Sequence, residues 1–513
     1  CVPAFASVQK TLVFSCAYTD PGSGTLPLKI GSAASTVACG SGTAAVALDF
    51  NASGVAATTL QYGDVGKVTL TAAYSGAGGS EAGLAMSGSD TFVAMPHHFG
   101  LATIVCQDAA KTANPAASGA SGARFCRAGE SFKVDATAYN ASNVAVPNFG
   151  KEAVPESVGL DVTLLAPVGG TAAALSGSFA AVGNNCAGNA ATATACGTFS
   201  WPEVGVVSLS PRVADSNYLG AGNVSGTAAS PVGRFFPHHF DTEITQACGT
   251  FTYSGQPFAV KVRARSLGGS TTTNYGGSFA GALTYSDGNA AVGAFNPTAL
   301  ASTKFVAGVA DLTTLASDKI QFTYSDKLTK NSILRLRVAE ASGSIAGKDG
   351  VSSAPGSEAV TDLRSGRLRL DSVSAYGSAL QPLKMPVKTQ YWSGVSWVSS
   401  TGDACTSVPT TALKVIPAGW SATGPGLLSN GAGEITLTPT ANGSVKVCAD
   451  LGPDPSAGVA CSATSVAEAW LQSRWPALDG AGNELYNNDP WATATAGITS
   501  SERKKSIHNR EMY

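Results

Sequence analysis

Pro96-His97-His98-Phe99 recurs as Pro237-His238-His239-Phe240, and the residues that follow each copy keep step with one another. After the first copy the chain reads Phe125, Gly129, Phe132, Val134 and then Asn148-Phe149-Gly150. After the second it reads Phe251, Gly255, Phe258, Val260 and then Asn274-Tyr275-Gly276, each pair separated by 126 positions (251 − 125 = 126). A second matching block precedes each copy: Tyr62-Gly-Asp64-Val65-Gly66-Lys-Val68-Thr69-Leu70 aligns with Trp201-Pro-Glu203-Val204-Gly205-Val-Val207-Ser208-Leu209, 139 positions on (203 − 64 = 139). Spacing kept over so many positions marks an internal repeat, in units about the size of an immunoglobulin sandwich.

Strand periodicity agrees. Leu26, Leu28 and Ile30 alternate with other positions, as do Val46, Leu48 and Phe50, and Val68, Leu70, Ala72 and Tyr74. Period two between glycine-rich breaks reads as half-buried antiparallel strands. The same pattern continues at Phe132-Lys-Val134-Asp-Ala136, Phe258-Ala-Val260-Lys-Val262, Leu334-Arg-Leu336-Arg-Val338 and Leu383-Lys-Met385-Pro-Val387. The expected fold is all-β: an elongated tandem array of immunoglobulin-like β-sandwich domains. Its expected parts are a sandwich over 1–95, a sandwich with a cysteine-bridged, Ala/Gly-rich insert over 96–236, a repeat of it over 237–361, and a tryptophan-rich β-domain over 362–513. Residues 341–360 read as a long loop or linker, 466–475 as the single stretch able to form a short helix, and 506–513 as a closing strand.

Composition narrows the function. Only 13% of the 513 residues are charged, with 32 Lys and Arg against 34 Asp and Glu. Nucleic-acid binding needs a concentrated basic face, which this balance excludes. A hydrophobic content of 44% argues against disorder. No apolar run is long enough to span a membrane. The chain opens at Cys1 with no initiator Met, which places the numbering inside a precursor whose export information lies upstream or has been removed.

The 11 cysteines include no C-x-x-C pair. This weighs against zinc and thioredoxin-type chemistry and points to disulfides in an oxidising compartment. Sequence spacing pairs Cys16 with Cys39, Cys106 with Cys126, Cys186 with Cys196 and Cys405 with Cys448, leaving Cys1, Cys248 and Cys461 unassigned.

The run Gly366 to Thr406 (GRLRLDSVSAYGSALQPLKMPVKTQYWSGVSWVSSTGDACT), with FTYSGQPF (251–258), NYGG (274–277), VKVCADL (445–451) and the terminal REMY, resembles the C-terminal region of MshQ-like proteins. These are large exported bacterial proteins associated with type IV pilus loci of the mannose-sensitive haemagglutinin kind. The resemblance implies a surface or appendage location and brings no catalytic or binding residues with it. Members of that family often carry a lectin-like domain ahead of this region, which these residues do not include and which would lie upstream of them, and DPWATATAG (489–497) stands where the family tends to have a segment like NPSARATFG.

Chemistry is sparse. Adjacent His97-His98 and His238-His239 invite a metal, but in an extended segment neighbouring side chains point to opposite faces, so neither pair is expected to chelate. No G-x-S-x-G elbow is present, and four of the five histidines sit in the repeat marker, so a triad hydrolase is not expected. Paired carboxylates for glycoside cleavage would come from distant strands. The loop from Asp479 to Asp489 carries oxygen ligands for calcium without EF-hand spacing. No resident cofactor is expected otherwise.

Six of the seven tryptophans lie beyond residue 390. Tyr391, Trp392 and Trp397, around a Ser-Gly turn, are the candidate ligand-binding residues; exposed, they would stack on surface glycans, and buried, they would fill a core. The expectation is a non-enzymatic structural or adhesive protein on a bacterial surface or appendage, with pilus or filament subunits as partners. One alternative is a self-polymerising filament subunit, with the strand containing Ile507, Met512 and Tyr513 added to a neighbour's sheet. The other is a carbohydrate-binding or carbohydrate-active module.

Overall fold

In the computed structural model the described residues are 5–31, 35–183, 193–340, 350–376, 380–453, 461, 463–476 and 486–498. They form an all-β, immunoglobulin-like tandem array whose helical content is limited to single 3-10 turns. The chain divides into two compact units. One holds Cys1–His238 and Arg265–Phe279, the other His239–Ala264, Ala280–Ser344 and Gly350–Tyr513.

The first unit begins with a four-stranded antiparallel sheet in the order Thr43–Phe50, Val8–Asp20, Gly66–Ser75, Ala85–Ala94. It packs on a three-stranded sheet of Ser35–Val37, Leu28–Ile30 and Leu60–Tyr62. Alternate residues Phe14, Cys16, Leu48 and Val68 meet Leu28, Ile30 and Val37 in the core, as the period-two pattern requires. The next sandwich pairs Val158–Ala166, Gly205–Val213 and Ala229–Phe235 in one sheet. The other sheet has the order Ser176–Phe179, Thr194–Ser200, Ser131–Tyr139, His98–Cys106. Two of those strands, Ser176–Phe179 and Thr194–Ser200, come from the Ala/Gly-rich insert, which is therefore part of the sheet and not decoration upon it. Small residues there let Phe179 and Phe199 meet edge-to-face at 4.9 Å.

The repeated blocks meet in space. Asp64 Oδ1 accepts the backbone N–H of its neighbour Val65 at 2.9 Å and of Asn148, 84 residues on, at 3.0 Å. One repeat later Glu203 Oε1 accepts from Val204 at 2.9 Å and from Asn274 at 3.1 Å, and its Oε2 accepts the N–H and the hydroxyl of Thr273, both at 2.8 Å. Both acids are buried. Thus the acid of one repeated block latches the Asn-aromatic-Gly turn of the other, and Val65 inserts into the core that holds Phe99 and Phe149. The glycine after each latch is also explained. Gly66 and Gly205 have positive φ, and a Cβ would lie 2.6 Å from the Asp20 carbonyl oxygen and 2.3 Å from that of Ala166, so only glycine fits. The marker itself is structural: Phe99 and Phe240 are fully buried.

In the second unit, His239–Thr245, Ala259–Arg265, Val309–Asp311 and Phe305–Val306 make one sheet. A five-stranded sheet follows in the order Phe251–Tyr253, Val360–Arg364, Ser332–Glu340, Leu283–Asp287, Ala299–Leu300. The later residues form a sheet of Gly366–Leu370, Leu383–Trp392, Ala432–Thr438 and Ser421–Thr423, with Trp397–Ser399 also pairing with Leu383–Trp392. It packs against Val373–Tyr376, Trp491–Ile498, Gly443–Ala449 and Leu413–Ile416. Cys248, Phe251 and Tyr253 are buried in that same core with Leu368, Met385, Ile435 and Val447.

Several expectations need correction. Cys405 is bonded not to Cys448 but to Cys248, and Cys448 is bonded to Cys461. The cause is the strand Phe251–Tyr253, which runs parallel to Val360–Arg364 and carries Cys248 into the later core. Cys16–Cys39 and Cys106–Cys126 are bonded. Cys196 is disulfide-bonded, and its expected partner Cys186 lies outside the described residues, as does Cys1. The stretch 466–475 contributes only the 3-10 turn Ala469–Leu471. The second half of the expected linker is packed structure, with Val351 fully buried and Val360 opening a strand. The strand expected at 506–513, with Ile507, Met512 and Tyr513, lies outside the described residues, as does most of the 479–489 loop.

Candidate functional site

Trp392 and Trp397 face each other across the hairpin that joins Leu383–Trp392 to Trp397–Ser399. Their rings meet edge-to-face at 5.6 Å, and both are half-buried. Tyr391 does not join them, because alternation sends it to the opposite face, which Leu368 and Val387 make the core face. There the Arg364 guanidinium lies 4.9 Å from the Tyr391 ring centre and 4.0 Å from that of Phe251. On the tryptophan face Arg367 stands between two indoles, 4.4 Å from the centre of Trp397 and 5.0 Å from that of Trp475. Its Nε and Nη2 donate to Gln390 Oε1 at 2.9 and 2.7 Å, and burial lowers its pKa to about 10. Cation–π contact and a fixed amide acceptor hold this face rigid.

A cleft of about 580 Å³ lies elsewhere in the same unit, walled by Ser254, Gly255, Thr323, Lys327, Trp470 and Asn487 among others. Lys327 is half-buried as a residue, but its amino group is enclosed and donates to the Trp470 carbonyl. Burial lowers its pKa to about 7. Beside Trp470 in sequence, Glu468 accepts the Ser407 N–H at 3.3 Å, and burial raises its carboxyl to about 7. Two buried polar atoms of the cleft residues, Trp470 Nε1 and Asn487 Oδ1, find no partner within the described chain. Sequence reasoning missed this place, since Lys327 belongs to no motif and Asn487, read only as part of the 479–489 loop, is brought to it by the fold.

The sulfur-containing groups resemble metal sites only in their spacing. Cys106, Cys126 and Glu130 form one, and Cys248, Asp403 and Cys405 the other. In each, both sulfurs are already joined in a disulfide, which offers no thiolate for a metal. Asp403 instead organises its own turn and the strand beside it. It accepts from Tyr253 Oη at 2.8 Å, Thr406 Oγ1 at 2.7 Å and the N–H groups of Cys405 and Thr406 at 3.1 and 3.0 Å. The expectation that adjacent histidines diverge fails for one pair. His97 precedes the strand that starts at His98, and the two Nδ1 atoms come within 3.1 Å, one hydrogen-bonded to the other. His239 Nε2 lies 3.3 Å from Asp241 Oδ1. Among the described residues, no helix is long and apolar enough to cross a membrane.

Comparison with known proteins covers nearly the whole chain at the level of domains. Residues 1–89 match the family model described as Domain of unknown function (DUF6701), first Ig-like domain. Residues 96–194, 203–361 and 364–512 match the models for its second, third and fourth domains. No curated protein matches the chain. Among solved structures, invasin, a bacterial integrin-binding protein, is 12% identical over 88% of this chain and 74% of its own, with a TM-score of 0.23. The D0–D1 domains of intimin are 13% identical over 42% of this chain and 90% of theirs, at 0.15. Domains 4–9 of the surface layer protein SbsC are 9% identical over 85% and 63%, at 0.16. At such scores no function is carried over.

Proposed function

From the premise that this chain belongs to the DUF6701 family, carrying its four domains in order, we propose that it is an exported bacterial surface protein with a structural and adhesive, non-enzymatic role. The observation that carries the reading is the set of disulfides, above all Cys248–Cys405, which fastens a segment of one family domain into the core of the next. Such bonds persist in oxidising compartments and are rare in the cytosol. Association with a type IV pilus is the finer proposal, supported by the resemblance of residues 366–406 to MshQ-like proteins. Surface labelling of intact cells with an impermeant biotin reagent, alongside thiol counting under non-reducing conditions, tests the location. A cytoplasmic protein with reduced Cys248 and Cys405 would overturn it.

Glycan binding is a second reading, supported by the partly exposed Trp392–Trp397 pair on the outer face of its sheet. Replacing both by alanine should abolish binding on a glycan array while leaving the domain folded. Undiminished binding would remove the pair from the site.

A further inference from the structure

His97 and His98 are held as a chelating pair. Strand alternation sends neighbouring side chains to opposite faces, but His97 lies between Pro96 and the strand that begins at His98, and its ring turns toward that of His98. Its backbone N–H donates to the Tyr139 carbonyl at 2.8 Å, which fixes the chain on entry. The His98 ring is stacked on Tyr139 with centres 5.4 Å apart, and Gly100 makes room for that tyrosine, since a Cβ there would lie 2.9 Å from its ring. The two Nδ1 atoms thus converge at 3.1 Å, and neither Nε2 has a partner among the described residues. His97 is exposed and His98 partly so. A hydrogen bond between two imidazoles open to water exchanges one polar partner for another and gains little. With metal–imidazole bonds of about 2.0–2.1 Å, however, two nitrogens 3.1 Å apart subtend about 100° at an ion bound to both. That angle lies between the right angle of neighbouring positions in a square or octahedral site and the tetrahedral angle.

We propose that His97 Nδ1 and His98 Nδ1 together bind a divalent transition-metal ion of the imidazole-preferring class, copper(II) most tightly. Each nitrogen supplies one lone pair, and the proton that one of them holds moves to its Nε2, so both rings stay neutral and the exchange balances. No third His, Cys, Asp or Glu among the described residues joins them, and water fills the remaining coordination positions. Two neutral nitrogen ligands select against calcium and magnesium, which take oxygen, and the general order of affinities puts copper(II) above nickel(II) and zinc(II). Holding the His98 ring on Tyr139 lowers the freedom lost on binding. The second copy of the marker is built differently and supplies an internal control. Asp241 stands where the first copy has Gly100, and its Oδ1 lies 3.3 Å from His239 Nε2. Arg265 stands where the first copy has Tyr139, and its carbonyl accepts the His238 N–H at 2.8 Å. A carboxylate claims one imidazole there and a cation replaces the stacking ring, so no equivalent site forms. This inference goes beyond the surface and glycan readings and rests on neither.

The test is calorimetric titration of the full chain with copper(II), nickel(II), zinc(II) and calcium chlorides in a buffer that does not bind metal, with pulsed EPR of the sample at one equivalent of copper(II). The expected result is copper(II) bound most tightly, with two imidazoles in its EPR modulation. His97→Ala should weaken copper(II) about tenfold or more, the loss of a chelating partner, and reduce the modulation to one imidazole. His97→Gln keeps a hydrogen-bonding group beside His98 and should weaken copper(II) as much, which separates metal binding from a structural role of the pair. His97 is exposed, so its variants should keep the melting temperature of the metal-free chain. His238→Ala should leave copper(II) affinity and modulation as they are. Unchanged affinity in His97→Ala, one imidazole or none in the unsubstituted chain, equal losses in His238→Ala and His97→Ala, or calcium bound as tightly as copper(II) would each overturn the assignment.

Discussion

Replacing Glu203 by alanine takes away an acceptor that serves three backbone N–H groups and a hydroxyl. Thr273 is exposed and turns to water, but Val204 and Asn274 are buried and their N–H groups are left without a partner. An orphaned buried donor costs about 1–3 kcal/mol, so two of them make the junction weaker by about 4 kcal/mol. At about 1.4 kcal/mol per decade this is roughly a thousandfold loss of protection against hydrogen exchange. Global unfolding is a poor reporter in a chain of several domains, so the assay is hydrogen exchange resolved to peptides covering 200–206 and 271–277. Tyr275 is the informative amide. Its own acceptor, the Thr272 carbonyl at 3.0 Å, is untouched by the substitution, so its loss of protection reports opening of the junction itself. Protection of Tyr275 reduced less than about tenfold in Glu203→Ala would refute the latch as a source of junction stability.

The equivalent substitution Asp64→Ala should cost less, about 2 kcal/mol, because burial already disfavours this carboxylate and raises its pKa. Since the folded form holds the proton more tightly, the first junction should weaken as pH rises from the ordinary aspartate range through the raised value. Asp64→Asn should flatten that slope in thermal melts. Serine at both Cys248 and Cys405 opens a loop of 157 residues, and loop entropy puts the loss at about 5 kcal/mol, read as a fall in melting temperature. Glu468, raised to about 7, predicts stability falling as pH rises from the ordinary glutamate value, whereas Lys327, lowered to about 7, predicts stability rising from there toward the ordinary lysine value. Lys327→Met should therefore raise the melting temperature at neutral pH, by the equivalent of about 2 kcal/mol once the lost hydrogen bond to the Trp470 carbonyl is set against the desolvation cost removed.

The architecture was legible because its causes are local and periodic. Alternation at Val46, Leu48 and Phe50 reports a sheet facing a core, and the constant offsets of Asp64 and Glu203, and of Asn148 and Asn274, report a repeat. That these two sets of residues touch was not legible, since spacing along a chain carries no distance in space. The pairing of Cys405 failed for the same reason. Nearness in sequence favoured Cys448, while a short strand from 251–253 delivered Cys248 from far upstream. The separation of Tyr391 from Trp392 follows from period two and was available beforehand. Lys327 was not, because its character comes from walls contributed by segments around 254, 323, 470 and 487.

The Cys248–Cys405 link also sets an order of events as the chain emerges. Cys16 and Cys106 find their partners 23 and 20 residues on, so those bonds can close almost as soon as the segments appear. Cys248 waits for 157 more residues, and the core that receives Phe251 and Tyr253 also needs Ile435 and Val447. Until then it is an unpaired thiol just ahead of a strand without its final neighbours, open to exchange with any other cysteine nearby. Chains that stop before residue 405 leave it in that state permanently. Correct maturation is thus a matter of timing, in which oxidation must not outrun delivery of the C-terminal domain.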